Sequence, residues 1–395
     1  MSADKHLKTC VVAGHLCLDV IPPFVSQGDF ESIFRPGRLL ETGPVLMSTG
    51  GVVSNTGLAL HKLGINTRLM SNVGNDMFGQ AILQLIKNQD EGLVNGLNVV
   101  GEASSYTVIL NPPHTDRIFL HCSGTNDTFG ANDIDYELLR HADVFHFGYP
   151  QLMKQMYQNE GVTLVEIFKR VRATGVTTSL DTAMPDSNAP SGQADWPAIF
   201  KKVLPYVDLF VPSIEEMLLM LYPSIYDDVA RQKQPVTPAL ASTIAGDLLT
   251  MGAKVVLLKA GGLGLYLRTA GEDVLADMGR ARPADWRRWA NREVWAPVFE
   301  VNVVGTTGAG DSAVAGFLAA LLRNLPPNEV VTMAAAVGGC NVEAADAVSA
   351  IITWDETVAR IKGGWPRRLP KFDDPGWNFD HTRQLWVGPN DVRRL

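Results

Sequence analysis

Residues 162–181, VTLVEIFKRVRATGVTTSLD, contain one complete step from helix to strand. Leu164, Ile167, Phe168 and Val171 recur at helical spacing, so the pattern predicts a helix over Val162–Thr174 that stops at Gly175. The run that follows predicts a strand over Val176–Leu180, ending in Asp181. The same step repeats on both sides. Upstream, Leu7–Val12 reads as a strand ending at Gly14, Thr56–Leu63 as a helix stopped by Gly64, Asn66–Val73 as a strand, Met77–Asn88 as a helix and Asp143–Phe147 as a strand. Downstream, Leu209–Val211 reads as a short strand, Ser242–Met251 as a helix stopped by Gly252, and Lys254–Lys259 as a strand ending in Gly261-Gly262. Strands alternating with helices pair in parallel and need helices on both faces. The expected fold is a doubly wound α/β domain with a mostly parallel sheet.

Two stretches break the alternation. Asp19–Ser48 and Val99–Cys122 carry strand-like runs, notably Tyr106–Leu110 and Arg117–Cys122, with Pro, Gly and Thr punctuation and little helical period. They predict a small β lid standing off the main domain. Tyr222–Pro238 and Ala281–Ala296 read as loop insertions, and 373–395 as an irregular C-terminal tail, so residues 1–372 form the expected domain. All 8 tryptophans lie between Trp196 and Trp386, where they serve as packing anchors for these insertions.

The 395 residues suffice for one large α/β domain with an appendage, or for two domains. With 34 Lys+Arg against 42 Asp+Glu the net charge is −8, so no global field draws the chain to nucleic acid or anionic lipid. The basic pairs Lys201-Lys202, Arg287-Arg288, Arg367-Arg368 and Arg393-Arg394 are scattered and make no arm. The 4 cysteines include no C-x-x-C pair and the 8 histidines no metal-binding spacing, which argues against a disulfide framework or a zinc site. Met1–Thr9 lacks the apolar core of a signal peptide. Ala313–Leu322, the most apolar stretch, is too short to span a bilayer, which takes ~18 residues. A cytoplasmic protein with no membrane or nucleic-acid partner is expected.

The chemistry concentrates in Val303-Val304-Gly305-Thr306-Thr307-Gly308-Ala309-Gly310-Asp311-Ser312 and the small-residue helix that follows. Gly308-x-Gly310-x-x-Ala313 approaches a dinucleotide fingerprint, but no acid follows at a second strand end. Gly305-x-x-x-x-Gly310-Asp311-Ser312 fits a Walker A frame except that Asp311 replaces the lysine. That reversed charge repels the β- and γ-phosphates and excludes a P-loop NTPase. What remains is a glycine turn opening a helix, able to hold an anion, with one carboxylate beside it. Phosphoryl transfer gives that carboxylate a purpose, since it accepts the proton of an attacking hydroxyl while the N–H groups hold the developing charge. The alternative is Asp311 as a plain helix N-cap.

The segment resembles the C-terminal signature of the ribokinase-like (PfkB) carbohydrate kinases, a likeness that extends from about Thr9 to Ile361. The resemblance implies that Asp311 is the catalytic base and that Gly308, Ala309 and Gly310 form an anion hole. Gly50-Gly51-Val52-Val53-Ser54-Asn55 is similar to the N-terminal family signature, which implies that Gly50 and Gly51 approach a sugar whose hydroxyls bond Asn55. Asp19 matches the family's hydroxyl-binding aspartate; the alternative for it is a plain turn residue.

Leu257–Gly264 resembles the strand and turn touching the nucleotide, which implies contacts from Lys259, Gly261 and Gly264. Asn341 falls where the family lines its adenine pocket, and Asn126 and Asp181 where members contact substrate. The family's Asn-x-x-Glu element, which organises Mg²⁺ through water, stands here as Ser213-Ile214-Glu215-Glu216, leaving Glu216 for the metal. Cys17 replaces a polar residue usual in ribokinases proper and argues against ribose. The implied function is an ATP- and Mg²⁺-dependent kinase acting on a hydroxyl of a small sugar or polyol, with a homodimer through the lid as family habit. A nucleoside kinase of the same superfamily and a silent sugar- or nucleotide-binding regulator are the alternatives.

Overall fold

The computed structural model describes residues 8–25, 34–112, 117–231 and 234–392. The N-terminal Met1–Leu7 stretch, Arg393-Arg394 and parts of both lid segments lie outside the described residues.

β1 (Thr9–Gly14) is buried throughout, and its side chains divide between two cores. Cys10 and Val12 belong to one core with Val144, while Val11 and Ala13 join Phe145 and Phe147 in the other. Because strand side chains alternate between faces, a strand apolar on both must lie between two layers. The strands β5 (Leu97–Val100), β4 (Asn66–Gly74), β1, β8 (Val144–Gly148), β9 (Thr177–Asp181), β10 (Leu209–Phe210) and β11 (Val255–Lys259) follow in that spatial order and pair in parallel. β12 (Leu265–Thr269), β13 (Glu293–Ala296), β17 (Leu385–Val387) and β16 (Asn378–Asp380) extend the same sheet with antiparallel pairing.

A separate four-stranded sheet has the order β3-β2-β6-β7, from β2 (Cys17–Ile21), β3 (Leu46–Gly50), β6 (Tyr106–Leu110) and β7 (Ile118–Cys122). A short ribbon joins β14 (Val298–Phe299) to β15 (Arg367–Arg368). On one face of the large sheet the helices Ala309–Leu322 and Pro327–Asn341 pack closely, because a Cβ at Gly316 would lie 2.9 Å from Met333 O and from Val337 Cβ. This contact explains why the first of these helices is built of small residues.

The structure corrects several sequence expectations. The helix expected at Thr56 begins at Val52: Gly51, at φ 85, turns the chain from β3 straight into it. The presumed loop Tyr222–Pro238 contains a helix at Pro223–Ala230, opened by proline at its first position. Ala281–Ala296 supplies β13. The residues expected as an irregular tail supply β16 and β17, whose Trp386 lies opposite Trp295 in the ladder. Buried Asp391 then accepts from Arg292 Nε at 2.9 Å. The added helix and strands span only three to eight residues, so their partners, not their periodicity, determine them.

Candidate active site

The carboxyl ends of the parallel strands open into a cavity of about 1320 Å³. Asp311 lies in the first turn of the Ala309–Leu322 helix, and Gly308, at φ 73, is the residue before that helix. The N-cap role considered for Asp311 is therefore corrected: Gly308 occupies that position. No side chain caps the helix, which leaves its first N–H groups for an anion. Gly308, Ala309, Gly310 and Asp311 all line the cavity.

Three donors from other elements hold Asp311, although it is remote from each in sequence. Asn55 Nδ2 donates to Oδ2 at 3.0 Å. Tyr149 OH donates to Oδ1 at 2.7 Å and Oδ2 at 2.8 Å, and Thr56 Oγ1 reaches Oδ1 at 3.4 Å. Burial and the neighbouring Asp311 push the Tyr149 phenol well above its ordinary value, so it remains a donor. The sequence reading missed Tyr149 and Thr56. Tyr149 directly follows β8 and adopts φ 66, the left-handed region. Its place after a strand's carboxyl end is the available signal.

Asp19, on β2, has relative exposure of 7%. Burial pushes its carboxyl up to about 6, while bonds from Cys17 and Thr107 act in the opposite direction. Gly50 makes room for it: a Cβ there would lie 2.3 Å from Asp19 Oδ2. Gly51, but not Gly50, lines the cavity. Beside them are two histidines absent from the sequence reading. His15 Nε2 lies 3.3 Å from His121 Nε2, and His121 Nδ1 lies 3.0 Å from Thr107 Oγ1. Burial first, then the facing His121, holds His15 well below its usual value.

Besides Gly50, three expected ligands do not reach the cavity. Asn126 is fully buried and spends its amide on Leu16, donating to its carbonyl at 3.0 Å and accepting from its N–H at 3.2 Å. Asn341 is buried at the end of its helix, with Nδ2 bonded to Ala347 O. Asp181 Oδ1 accepts from Lys259 Nζ at 2.6 Å and from Thr182 N at 2.8 Å. Burial pushes Asp181 up against the pull of Lys259. Burial works against the Lys259 charge, but Asp181 and Glu216 hold it above its ordinary value. Lys259 itself lines the cavity, its Cδ 3.3 Å from where a Gly310 Cβ would be.

Ser213 caps the helix Ile214–Leu221 in a reciprocal box with Glu216. Glu216 Oε2 accepts from Ser213 N at 2.9 Å and from Thr182 Oγ1 at 2.6 Å. Further along the cavity, Gly261, Gly262 and Gly264 meet Phe299, Arg368 and the small-residue face of Ala334, Ala335, Gly338 and Gly339. Arg368 donates to Gly262 O at 2.8 Å. This glycine- and alanine-lined end forms a largely apolar cradle, and a Cβ on Gly262 would lie 2.5 Å from the tip of the Arg368 guanidinium.

Among the described residues no helix is long and apolar enough to cross a membrane. Comparison with known proteins agrees with the geometry. The chain is 26% identical over 267 residues to an uncharacterised sugar kinase of Archaeoglobus fulgidus, covering 67% of this chain and 87% of that one. Its fold is similar to that of an Arabidopsis thaliana ribokinase solved with ribose and ATP, with a TM-score of 0.68 and 19% identity over 90% of this chain and 99% of the other. A Xylella fastidiosa fructokinase solved with ATP gives a TM-score of 0.67 at 19% identity, again over 90% and 99%. Residues 8–354 match the model of the pfkB family carbohydrate kinases. The chain belongs to the pfkB family of carbohydrate kinases.

Proposed function

We propose that this chain transfers the γ-phosphoryl group of ATP to a hydroxyl of a small sugar or sugar-like polyol. The observation that carries the reading is Asp311, a carboxylate held by Asn55, Tyr149 and Thr56 at the uncapped start of a buried helix. The cavity it lines is shared by Asp19 and by the glycine cradle around Gly262.

The acceptor hydroxyl gives its proton to Asp311 as its oxygen bonds to the γ-phosphorus. The bond from phosphorus to the β,γ-bridging oxygen breaks, and that oxygen leaves on ADP with the electron pair. The N–H groups of Gly308, Ala309 and Gly310 hold charge on the transferred group. Asp19 and the unpartnered Oδ1 of Asn55 accept from other acceptor hydroxyls, and Gly261, Gly264 and Lys259 contact the nucleotide.

Mg²⁺ fits the donor set, because it retains waters and takes one or two carboxylates together with phosphate oxygens. Glu216 keeps Oε2 on Thr182 and Ser213 and offers Oε1. Bound there, the ion would neutralise phosphate charge. No group of three or more His, Cys, Asp or Glu among the described residues could hold a metal, so the nucleotide supplies the remaining ligands.

In this reading the small sheet is a lid that closes over the acceptor, and its outer strands β3 and β7 offer edges for a homodimer, to be checked by light scattering. An intracellular setting accords with four free cysteines. A nucleoside acceptor is the second reading, favoured by the apolar Leu152, Tyr157 and Met184 along the same cavity, which give a base somewhere to rest.

A coupled ADP-release screen over pentoses, hexoses, keto-deoxy acids and nucleosides tests the proposal. Turnover on a sugar supports it, and turnover on nucleosides alone selects the second reading. ATP binding without turnover on any of them sinks the kinase reading in favour of a sensor.

A further inference from the structure

Asp181 is fully buried and does not line the cavity, so its own atoms stay clear of what the cavity holds. It ends β9 and Lys259 ends β11, with β10 between them in the sheet. Strands two places apart are separated by about 9–10 Å, so a long side chain is needed to span the gap. β10 has just two residues, and beyond it Lys259 N donates to Pro212 O at 2.9 Å, which fixes the root of the lysine. Its stem runs beside the anion-binding turn, with Cδ 3.3 Å, Cε 3.7 Å and Nζ 3.8 Å from where a Gly310 Cβ would be. The ammonium then meets Asp181 Oδ1 at 2.6 Å, the only ion pair of that carboxylate among the described residues. As a structural tie this contact is a poor one. β10 already pairs with both strands, Asp181 Oδ2 is buried without a hydrogen-bond partner, and burying an ion pair repays its desolvation only when the remaining lone pairs are satisfied.

We propose that Lys259 is a catalytic cation of the phosphoryl transfer and that Asp181 is the positioning residue that aims it. The proposal rests on the phosphotransferase reading. An ammonium has three donors. Asp181 takes one, and the others are left for oxygens of the group held at the turn of Gly308, Ala309 and Gly310. A lysine is a point charge on a flexible stem, and a displacement of about 1 Å at a reacting centre can cost ~100-fold in rate. Anchored at Pro212 O and at Asp181, the charge is in place before the reaction starts and need not reorganise during it. As the acceptor oxygen bonds to phosphorus, the β,γ-bridging oxygen leaves on ADP with its electron pair. Lys259 holds negative charge on the oxygens of the moving group and keeps its own proton, while the acceptor's proton goes to Asp311.

The test uses Lys259→Met, Asp181→Asn and the double variant, in which neither partner is left charged and alone. Calorimetry with ATP needs no acceptor. Lys259→Met should weaken ATP about tenfold, whereas Asp181→Asn should bind it within threefold of wild type or more tightly, because a negative charge behind the cation is gone. On the acceptor found by the screen, kcat should fall about 100-fold for Lys259→Met, the loss typical of one removed transition-state donor. It should fall about tenfold for Asp181→Asn, with the acceptor KM within threefold in both. The double variant should match Lys259→Met in kcat within threefold, since the carboxylate acts through the ammonium. It should also melt higher than Lys259→Met, which strands a buried carboxylate. A kcat for Asp181→Asn within threefold of wild type, with only its melting temperature lowered, overturns the positioning role, and so do losses that multiply in the double variant. If Lys259→Met does not fold, the double variant is compared with Asp181→Asn: a further drop of about tenfold in kcat supports the catalytic cation, and an equal kcat overturns it. A wild-type chain that binds no ATP overturns the phosphotransferase reading and this one together, whereas a working kinase indifferent to these substitutions overturns this one alone.

Discussion

At the residue scale the decisive group is Asp311, and its neighbours determine what its replacement does. Asp311→Asn keeps the side chain's size but cannot take a proton, so turnover should fall ~10²–10⁴-fold, the usual contribution of a positioned base. ATP affinity should hold or improve, because a negative charge beside the phosphates is gone. Since Gly308 is the capping position, Asp311→Ala loses no cap. It strands Asn55 Nδ2 and Tyr149 OH, which costs about 1–3 kcal/mol for each buried group left unpaired. Turnover, ATP dissociation constant and melting temperature separate these effects. A turnover for Asp311→Asn within threefold of wild type would falsify the catalytic role.

Asp19 gives a pH dependence with a definite sign. Burial raises its carboxyl to about 6 from 3.8, so above pH 6 it is a carboxylate able to accept from acceptor hydroxyls. Below that it is protonated and loses acceptors. The acceptor KM should therefore rise as pH falls through about 6, and Asp19→Asn should flatten the profile. Stability runs the other way. A raised carboxyl contributes fully below its unfolded value of 3.8, and this contribution is lost as pH rises through about 6. Asp19→Asn should accordingly raise the melting temperature at pH 7 relative to wild type. A KM equally pH-dependent in the variant removes Asp19 from the acceptor site.

At the scale of an element, the helix Ile214–Leu221 uses the proposed metal ligand Glu216 in its own capping box. The S-x-x-E spacing of Ser213 and Glu216 is a capping box that a sequence displays openly, and the structure contains it. Ser213→Ala should cost about 0.5–2 kcal/mol through the lost cap. Ser213→Asn keeps a capping side chain, places an amide beside Glu216, and should lower the Mg²⁺ concentration for half-maximal rate without changing acceptor affinity. An unchanged Mg²⁺ dependence would mean that the metal is positioned elsewhere. The pair of helices Ala309–Leu322 and Pro327–Asn341 is less forgiving. Gly316→Ala puts a methyl 2.9 Å from Met333 O, and overpacking of this kind costs about 1–3 kcal/mol. Denaturant melts measure it.

At the scale of the molecule, the small sheet and the large domain meet around the candidate site and also outside it, where Phe78 packs edge-on against Tyr106 of β6. Asp19 and Thr107 come from one, Asn55, Tyr149 and Asp311 from the other, with Arg117 bridging them to Thr306 and Thr307. If the sheet closes on its ligands, hydrogen exchange in β6 and β7 should slow when acceptor and ADP bind together, and less with either alone. Identical protection in all states would rule out a lid.

By itself the sequence determined the alternation of strands and helices, because strands apolar on both faces and amphipathic helices leave strong periodic signals along the chain. It also showed the glycine turn before Asp311, whose spacing is local. It did not show β16 and β17, since a three-residue strand carries no period and Trp386 acquires its meaning only opposite Trp295. It placed Asn126 and Asp181 among the ligands, but the fold turns them inward, to Leu16 and to Lys259. Tyr149, His15 and Arg117 emerged only with the tertiary structure. Each owes its place to a partner more than 100 residues away, and hydrogen bonds at that separation are formed by the packing of whole elements, which no local pattern records.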